Sequence, residues 1–308
     1  MQRLTSDHPV PERYRGAVVA LGNFDGFHLG HQAVVARARA LAAADGRPLI
    51  VATFDPHPVR YFRPDAAPFR LTTLDQRERL FAAAGADAML VFGFDAALAA
   101  VTARDFIRDW LGTRVGAARI VTGADFTFGN ARSGNAALLA DPAAMGPIRS
   151  EAVGPVADAH GVISSSRIRA ALRAGDPAEA ARLLTRPFAI EGVVQHGDKL
   201  GRTIGYPTAN LDMGAYLRPA YGIYAVRGQL TDGRVLDGVA NLGIRPQFEP
   251  PKELLEPHFF DFDGDLYGQR IAIDLIAHLR PEAKFDSLDA LIAQMDRDSA
   301  AAKAVLSR

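Results

Sequence analysis

The chain has 308 residues, 35 Lys+Arg against 35 Asp+Glu, no cysteine, one tryptophan and 48% hydrophobic residues. At ~150 residues per domain this length predicts about two domains. The balanced charge argues against a protein that coats nucleic-acid phosphates, and the missing cysteine excludes a disulfide framework, a thiolate zinc site, an iron–sulfur cluster and a cysteine nucleophile. The opening stretch, Met1 to Pro9, lacks the apolar core of a secretory signal. No apolar run approaches the ~20 residues needed to span a bilayer. The expectation is a soluble, cytoplasmic, globular protein, with no nucleic-acid or membrane partner and its oligomeric state open.

Strand-like and helix-like stretches alternate through the first half. Ala17 to Leu21 is a short apolar run stopped by Gly22, and an Ala-rich helix follows from about Gln32 to Ala44. Leu49 to Phe54 reads as a buried strand, Leu74 to Ala84 as a helix, and Ala88 to Phe92 as a strand. Asp105 to Leu111 reads as helical, Arg119 to Thr122 as a fourth strand, and Ile168 to Ala174 as another helix. Such alternation predicts βαβ units around a parallel sheet. After Arg186-Pro187 the texture changes to strands: Phe188 to Gln195, Tyr221 to Leu230, Arg234 to Leu242, Leu254 to Phe260 and Arg270 to Leu279. Asp232-Gly233 is a two-residue hairpin signal. A last helix begins near Ser287, with Leu288, Leu291, Ile292 and Met295 spaced for one buried face. The fold expected is an α/β domain over 1–186 and a small antiparallel β-barrel with a C-terminal helix over 187–308.

Between the first strand and the first helix lies Gly22-Asn23-Phe24-Asp25-Gly26-Phe27-His28-Leu29-Gly30-His31. Open α/β sheets place ligands at that junction. Glycines allow close backbone approach, and the helix N-terminus favours anions. His28 and His31 can point from the first helical turn toward a phosphate and neutralise charge as pyrophosphate leaves. A metal site is one rival, but no third ligand follows at metalloprotease spacing; ordinary surface histidines are the other, though chance rarely embeds them in so glycine-rich a strand–helix turn. The stretch is neither a Walker A loop nor the Gly-x-Gly-x-x-Gly fingerprint. Further on, Ser164, Ser165 and Ser166 precede Arg167 and Arg169 at the start of a helix. Alone, this would read as a serine cap with solvent-facing arginines; beside the histidines it supplies donors and cations for a triphosphate.

Together the two motifs resemble the nucleotidyltransferase superfamily, whose late Ile-Ser-Ser-Thr-x-Ile-Arg pattern has serine, Ser166, in place of threonine here. Thr53 to Pro58, Leu71 to Arg77 and Val121 to Gly129 are similar to the FAD synthetase branch. That resemblance implies a Rossmann-like domain transferring AMP from ATP to FMN. By position only, Phe62 and Asp125 are flavin- or nucleotide-side candidates, with core packing and loop capping as the alternatives.

In the second half, Gly197, Gly201 and Gly205 form a loop able to wrap phosphates, continuing through Tyr206-Pro207-Thr208-Ala209-Asn210. Thr208 and Asn210 are two apart, so on an extended segment both side chains face the same way. A hydroxyl and an amide oxygen are hard ligands suited to Mg²⁺. The alternative is a plain turn with Thr and Asn as caps. The whole stretch, Arg202 included, resembles riboflavin kinase, as do Gly238 to Pro246, Asp261 to Gly268 and Leu279 to Leu288. The resemblance makes Glu256 the general base for the ribityl 5′-hydroxyl. Ile244 and Gln247 stand where that family commonly has threonine, and Pro257, beside the base, predicts a strand edge or bulge. The acidic turn Asp261, Asp263, Asp265 fails the EF-hand pattern at Leu266 and reads as a loop element.

From about Arg15 onward the chain is thus similar to the bacterial bifunctional riboflavin kinase/FAD synthetase family. This implies ATP as substrate, Mg²⁺ as cofactor, and riboflavin, FMN and FAD as the other partners. Three rivals are a pantetheine-phosphate nucleotidyltransferase carrying an unrelated barrel, an RNA-binding barrel, and a flavin-sensing regulator. Pro207-Thr208-Ala209-Asn210 argues against the first, the missing basic–aromatic stripe against the second, and the intact His28, His31, Thr208, Asn210 and Glu256 against the third.

Overall fold

The structure, a computed structural model, describes residues 1–196, 205–245 and 252–307. The chain divides into two compact units, Met1–Ala67 with Thr72–Ser164, and Pro68–Leu71 with Ser165–Arg308.

The first unit is built on six parallel strands: β1 (Gln2–Thr5), β2 (Val18–Leu21), β3 (Leu49–Asp55), β4 (Ala88–Gly93), β5 (Arg119–Gly123) and β6 (Arg149–Val153). Their order is β1-β4-β3-β2-β5-β6. The chain runs from β2 outward through β3 to β4, then returns to the other side of β2 for β5. The β2–β5 boundary is therefore the topological switch point, where such sheets bind ligands. Successive residues of the central strands feed different cores. Val18, Ala20, Val51 and Met89 pack under α1 (Leu29–Asp45) and α3 (Leu74–Ala83). Val19, Leu21, Ile50 and Leu90 pack under the π-helical segment Phe106–Val115 on the opposite face. A short helix α2 (Pro58–Phe62) follows β3, and a small hairpin, β7 (Ala157–Asp158) with β8 (Gly161–Val162), closes the unit.

Two helices, α4 (Ser165–Arg173) and α5 (Pro177–Leu184), open the main run of the second unit. Its six strands are β9 (Phe188–Val193), β10 (Leu211–Asp212), β11 (Gly222–Gln229), β12 (Val235–Arg245), β13 (Lys252–Phe259) and β14 (Arg270–Arg280), ordered β10-β13-β12-β11-β14-β9, with antiparallel pairing throughout. Gln195 N–H donates to the Asn210 carbonyl at 2.9 Å, so the two ends of the sheet meet and the barrel nearly closes. On β11, Tyr224 and Val226 are buried in the sheet, while Ile223 and Ala225 pack toward α6 (Leu288–Leu306). This is the α/β-plus-barrel architecture expected from the sequence.

Three local expectations are corrected. The β11–β12 hairpin is not a two-residue turn: Gln229 pairs Val235, Leu230 N–H donates to the Arg234 carbonyl, and Gly233 takes φ +88°. A three-residue loop ending on a left-handed glycine meets the same strand twist. Leu288 is 57% exposed rather than part of a buried stripe. The fully buried face of α6 lies further along, at Asp298, Ala302 and Leu306, because the helix docks by its C-terminal half. Pro257 sits on β13 with neighbours on both sides and without a bulge. Its carbonyl accepts from Ala209 N–H at 2.9 Å, so its missing N–H also points toward the irregular approach to β10, and the β12 ladder loses no bond.

Candidate functional site

The first cluster grows from the end of β2. Phe24 and Phe27 both hold left-handed backbone (φ 49° and 47°), a conformation that costs a bulky residue about 1 kcal/mol or more. Burial secures them, at 1% and 4% exposure, and both rings meet Phe81 of α3 edge-on. The bent loop delivers His28 as the N-cap of α1, its Nδ1 accepting from Gly30 N–H at 3.2 Å. His31, one turn on, stacks against His28 with ring centroids 3.6 Å apart. Gly30 is there for space. A side chain would stand 3.1 Å from the His28 ring and 3.4 Å from the Ile163 carbonyl, which brings the segment entering Ser164 against the histidines.

Beneath the loop lies a polar brace. Arg77 of α3, 0% exposed, donates from Nη1 to the Asn23 carbonyl (3.2 Å) and to Thr53 Oγ1 (2.8 Å), and its Nη2 lies 3.6 Å from Asp55. Thr53 Oγ1 donates to the same Asn23 carbonyl at 2.9 Å. Asp25 points inward, accepting from Thr72 N–H at 3.0 Å, while Gly26 N–H donates to Thr72 Oγ1. Asp25 therefore shapes the loop from within. Gly22 continues the β2 ladder through its N–H to Ala52.

A cavity of about 590 Å³ opens beside this loop. Asn23, His57 and Phe62 line it together with Phe54, Phe94, Phe126 and Phe128. Asn23 Oδ1 is buried there with no hydrogen-bond partner. Phe62 is 64% exposed, unusual for an aromatic packed edge-on to Phe94. Asp125 is exposed, with its carboxylate against Gly123, and is not part of the cavity wall.

In the second unit, Ser165 and Ser166 open α4. Arg167 pairs with Glu179 at 2.6 Å, and Arg169 donates to the Phe69 carbonyl at 2.9 Å and lies over the Phe69 ring. Glu179 is held below the usual carboxylate range by Arg182 first, and then by Arg167.

The second cavity, of about 450 Å³, lies between the barrel and α6. Tyr206, Thr208 and Glu256 line it, and so do Asn241, Glu282, Phe285, Leu291 and Met295. Gly205 and Pro207 are exposed; Tyr206 hydrogen-bonds Asp296 of α6 through its hydroxyl and packs on His258, whose Nδ1 is 2.9 Å from the Pro207 carbonyl. Asn210 is buried, and it is Thr208 rather than Asn210 that faces this cavity. Gly197, Gly201 and Arg202 lie outside the described residues, as does Gln247. Glu256 accepts from Arg245 Nε at 2.9 Å, and Arg245 Nη1 is 3.6 Å from Glu282. The far wall is fixed by Arg280, bidentate to Asp298 of α6 with contacts of 2.7–3.1 Å, with Gln294 also on Asp298.

Of the residues named from the sequence, His28 and His31 lie together on one loop, and Thr208 and Glu256 line one cavity. The aromatic wall of the first cavity, the Arg77 brace, and the Arg245 and Arg280 ion pairs were not legible in the sequence. Arg245 was within reach, in the Gly243-Ile244-Arg245-Pro246 stretch. The phenylalanines come from separate segments and read individually as core.

An α/β unit with a histidine loop at its switch point, followed by a barrel with a carboxylate-bearing cavity, defines a two-site, nucleotide-using transferase. Family models agree in order: FAD synthetase matches residues 10–167 and riboflavin kinase residues 184–306. A bifunctional riboflavin kinase/FMN adenylyltransferase from Haemophilus influenzae is 38% identical over 99% of both chains. One from Escherichia coli K12 is 39% identical over 94% of this chain and 92% of its own. A crystal structure from Streptococcus pneumoniae, described as a macrolide-efflux protein, matches with TM-score 0.87 and 31% identity over 98% of this chain and 99% of that one. In the present chain, no helix among the described residues is long and apolar enough to cross a membrane. The chain belongs to the bifunctional riboflavin kinase/FMN adenylyltransferase family. It phosphorylates riboflavin to FMN with ATP, then adenylylates FMN with ATP to give FAD and pyrophosphate.

Proposed function

We propose that adenylyl transfer runs at the His28–His31 loop and phosphoryl transfer at the cavity of Thr208 and Glu256. The observation that supports this partition is that the stacked His28–His31 pair belongs to the first unit and the cavity of Thr208 and Glu256 to the second. At the first, the FMN phosphate oxygen attacks the α-phosphorus of ATP, and pyrophosphate leaves. The stacked imidazoles donate to phosphate oxygens as that charge develops. Gly22 to Gly26 and Gly30 let the backbone approach the nucleotide. Ser164, Ser165, Ser166, Arg167 and Arg169 keep the triphosphate role by sequence position. The aromatic cavity supports Phe62 as a flavin-side residue, since a flat ring stacks well on exposed phenylalanine; Asp125 keeps that role by sequence position.

At the second, Glu256 accepts the proton of the ribityl 5′-hydroxyl as its oxygen attacks the γ-phosphorus of ATP and ADP leaves. Gly197, Gly201, Arg202, Gly205, Tyr206 and Pro207 frame the phosphates. Thr208 and Asn210 would hold Mg²⁺. Thr208, at the cavity wall, and Asn241, whose Oδ1 is buried without a partner, offer the neutral, hard oxygens that suit the ion, whereas Asn210 does not line this cavity and keeps the role by sequence position. When bound, the ion neutralises charge on the transferred phosphoryl group. We place the functional boundary near Arg186, where the second family match begins, and the enzyme in the cytoplasm, independent of nucleic acid and membrane.

The test uses two variants and chromatography of flavin products. His28→Ala should abolish FAD formation from FMN and leave FMN formation from riboflavin intact. Asn210→Ala should do the reverse. Loss of both steps in either variant refutes the partition.

A further inference from the structure

The proposed phosphoryl transfer uses the Glu256 carboxylate at the second cavity, and Glu256 does not stand there alone. It projects from β13 directly across from Asn241 of β12. Arg245, at the end of β12, grips its Oε2 with both Nε, at 2.9 Å, and Nη2. The guanidinium is itself held from the other side. Its Nη1 lies 3.6 Å from Glu282, which follows β14 and lies over Gly243, where any side chain would collide with its carboxylate. Arg245 and Glu256 are each less than one-fifth exposed, and Glu282 is 40% exposed. A half-buried charge triad at the lip of a substrate cavity is costly unless its geometry has a use.

We propose that Arg245 is the positioning residue of the kinase reaction, aiming the Glu256 carboxylate at the ribityl hydroxyl, with Glu282 anchoring Arg245 across the cavity mouth. The inference rests on Glu256 being the base. A planar fork on one carboxylate oxygen fixes the side-chain rotamer and leaves the other oxygen, Oε1, for the substrate. Proton transfer is sensitive to such aim, since misplacing a catalytic group by about 1 Å can cost about 10² in rate. Arg245 touches neither reacting atom; it acts through Glu256. Glu282 likewise acts through Arg245, and the space above Gly243 exists for it.

The test is steady-state FMN formation by the full chain, with circular-dichroism melting as the folding control for the barrel and FAD formation from supplied FMN as the control for the first unit. Arg245→Met should lower kcat by about 10- to 100-fold, with KM for ATP and riboflavin changed less than about threefold. Arg245→Lys, keeping the charge but not the fork, should recover part of the loss. Glu282→Gln should lower kcat less than Arg245→Met does. In a Glu256→Gln background, followed over hours with radiolabelled ATP, Arg245→Met should add less than a twofold loss. A raised riboflavin KM with unchanged kcat would overturn the inference, as would Arg245→Met and Arg245→Lys enzymes both at wild-type rate. An equal Arg245→Met loss with and without Glu256 would refute the positioning role alone. A Glu256→Gln enzyme at full rate would refute the base assignment itself.

Discussion

Arg77→Met isolates the brace under the histidine loop. Methionine matches the buried arginine stem in length, so the perturbation is chiefly electrostatic. It removes two charge-assisted hydrogen bonds, to the Asn23 carbonyl and to Thr53 Oγ1. It also removes the 3.6 Å pair with Asp55, whose side chain is 34% exposed and can turn to water. Hydrogen bonds to charged groups are worth about 1.5–3 kcal/mol each. The Asn23 carbonyl keeps its bond from Thr53, and new apolar packing offsets part of the loss. A net destabilisation of about 3 kcal/mol follows, which at a urea slope of about 2 kcal/mol/M lowers the midpoint by about 1.5 M. The probe is built in: Trp110 is the only tryptophan and packs on Phe92 and Phe106 in the first unit. Its fluorescence in a urea titration therefore reports that unit. FAD synthesis should fall with the loop, while FMN synthesis at low urea stays at wild-type rate. A midpoint within 0.3 M of wild type (roughly a 0.6 kcal/mol effect at that slope) would refute the brace.

Asp298→Ala should strand Arg280 without its bidentate partner and cost about 3 kcal/mol. Far-ultraviolet melting should show early loss of α6, FMN formation should drop, and the Trp110 titration should not move. Glu253 supplies a pH dependence. Burial raises its carboxyl, but the Tyr221 hydroxyl and the Arg218 guanidinium outweigh that and hold it below the usual value. A carboxylate with a lowered folded value stabilises fully above the unfolded value of about 4.3, and that contribution fades as pH falls through the folded one. Glu253→Gln should therefore flatten the stability of the barrel between about pH 5 and pH 3 relative to wild type, read by circular dichroism; an unchanged slope would show that the carboxylate contributes nothing there.

The fold was legible where hydrophobic runs are long and central. β2, β3, β4 and β5 are buried on both faces, so continuous apolar runs announced them. β1 and β6 were not seen because they lie at the sheet edges. An edge strand such as Arg149-Ser150-Glu151-Ala152-Val153 is only half covered and carries charge. Helix α5 was missed despite an Asp176 cap, Pro177 at its first position and Glu179 in its first turn. Those signals lay close to the change in texture at Arg186. The site was legible in part for a related reason. Glycine-rich loops keep their chemistry contiguous in sequence, so His28, His31 and Thr208 could be named. Arg77 occupies a helix position that reads as solvent-facing, and its burial follows from partners distant in sequence, the Asn23 carbonyl, Thr53 Oγ1 and Asp55.

The proposed partition, adenylyl transfer at His28 and His31 and phosphoryl transfer at Thr208 and Glu256, predicts that the two steps can be separated. Mixing the two single-site variants tests this most directly. Purified His28→Ala and Asn210→Ala proteins, each alone, should make no FAD from riboflavin and ATP; combined in one tube, they should make FMN and then FAD. A mixture that accumulates FMN but no FAD, or a His28→Ala protein that makes FAD by itself, would contradict the account.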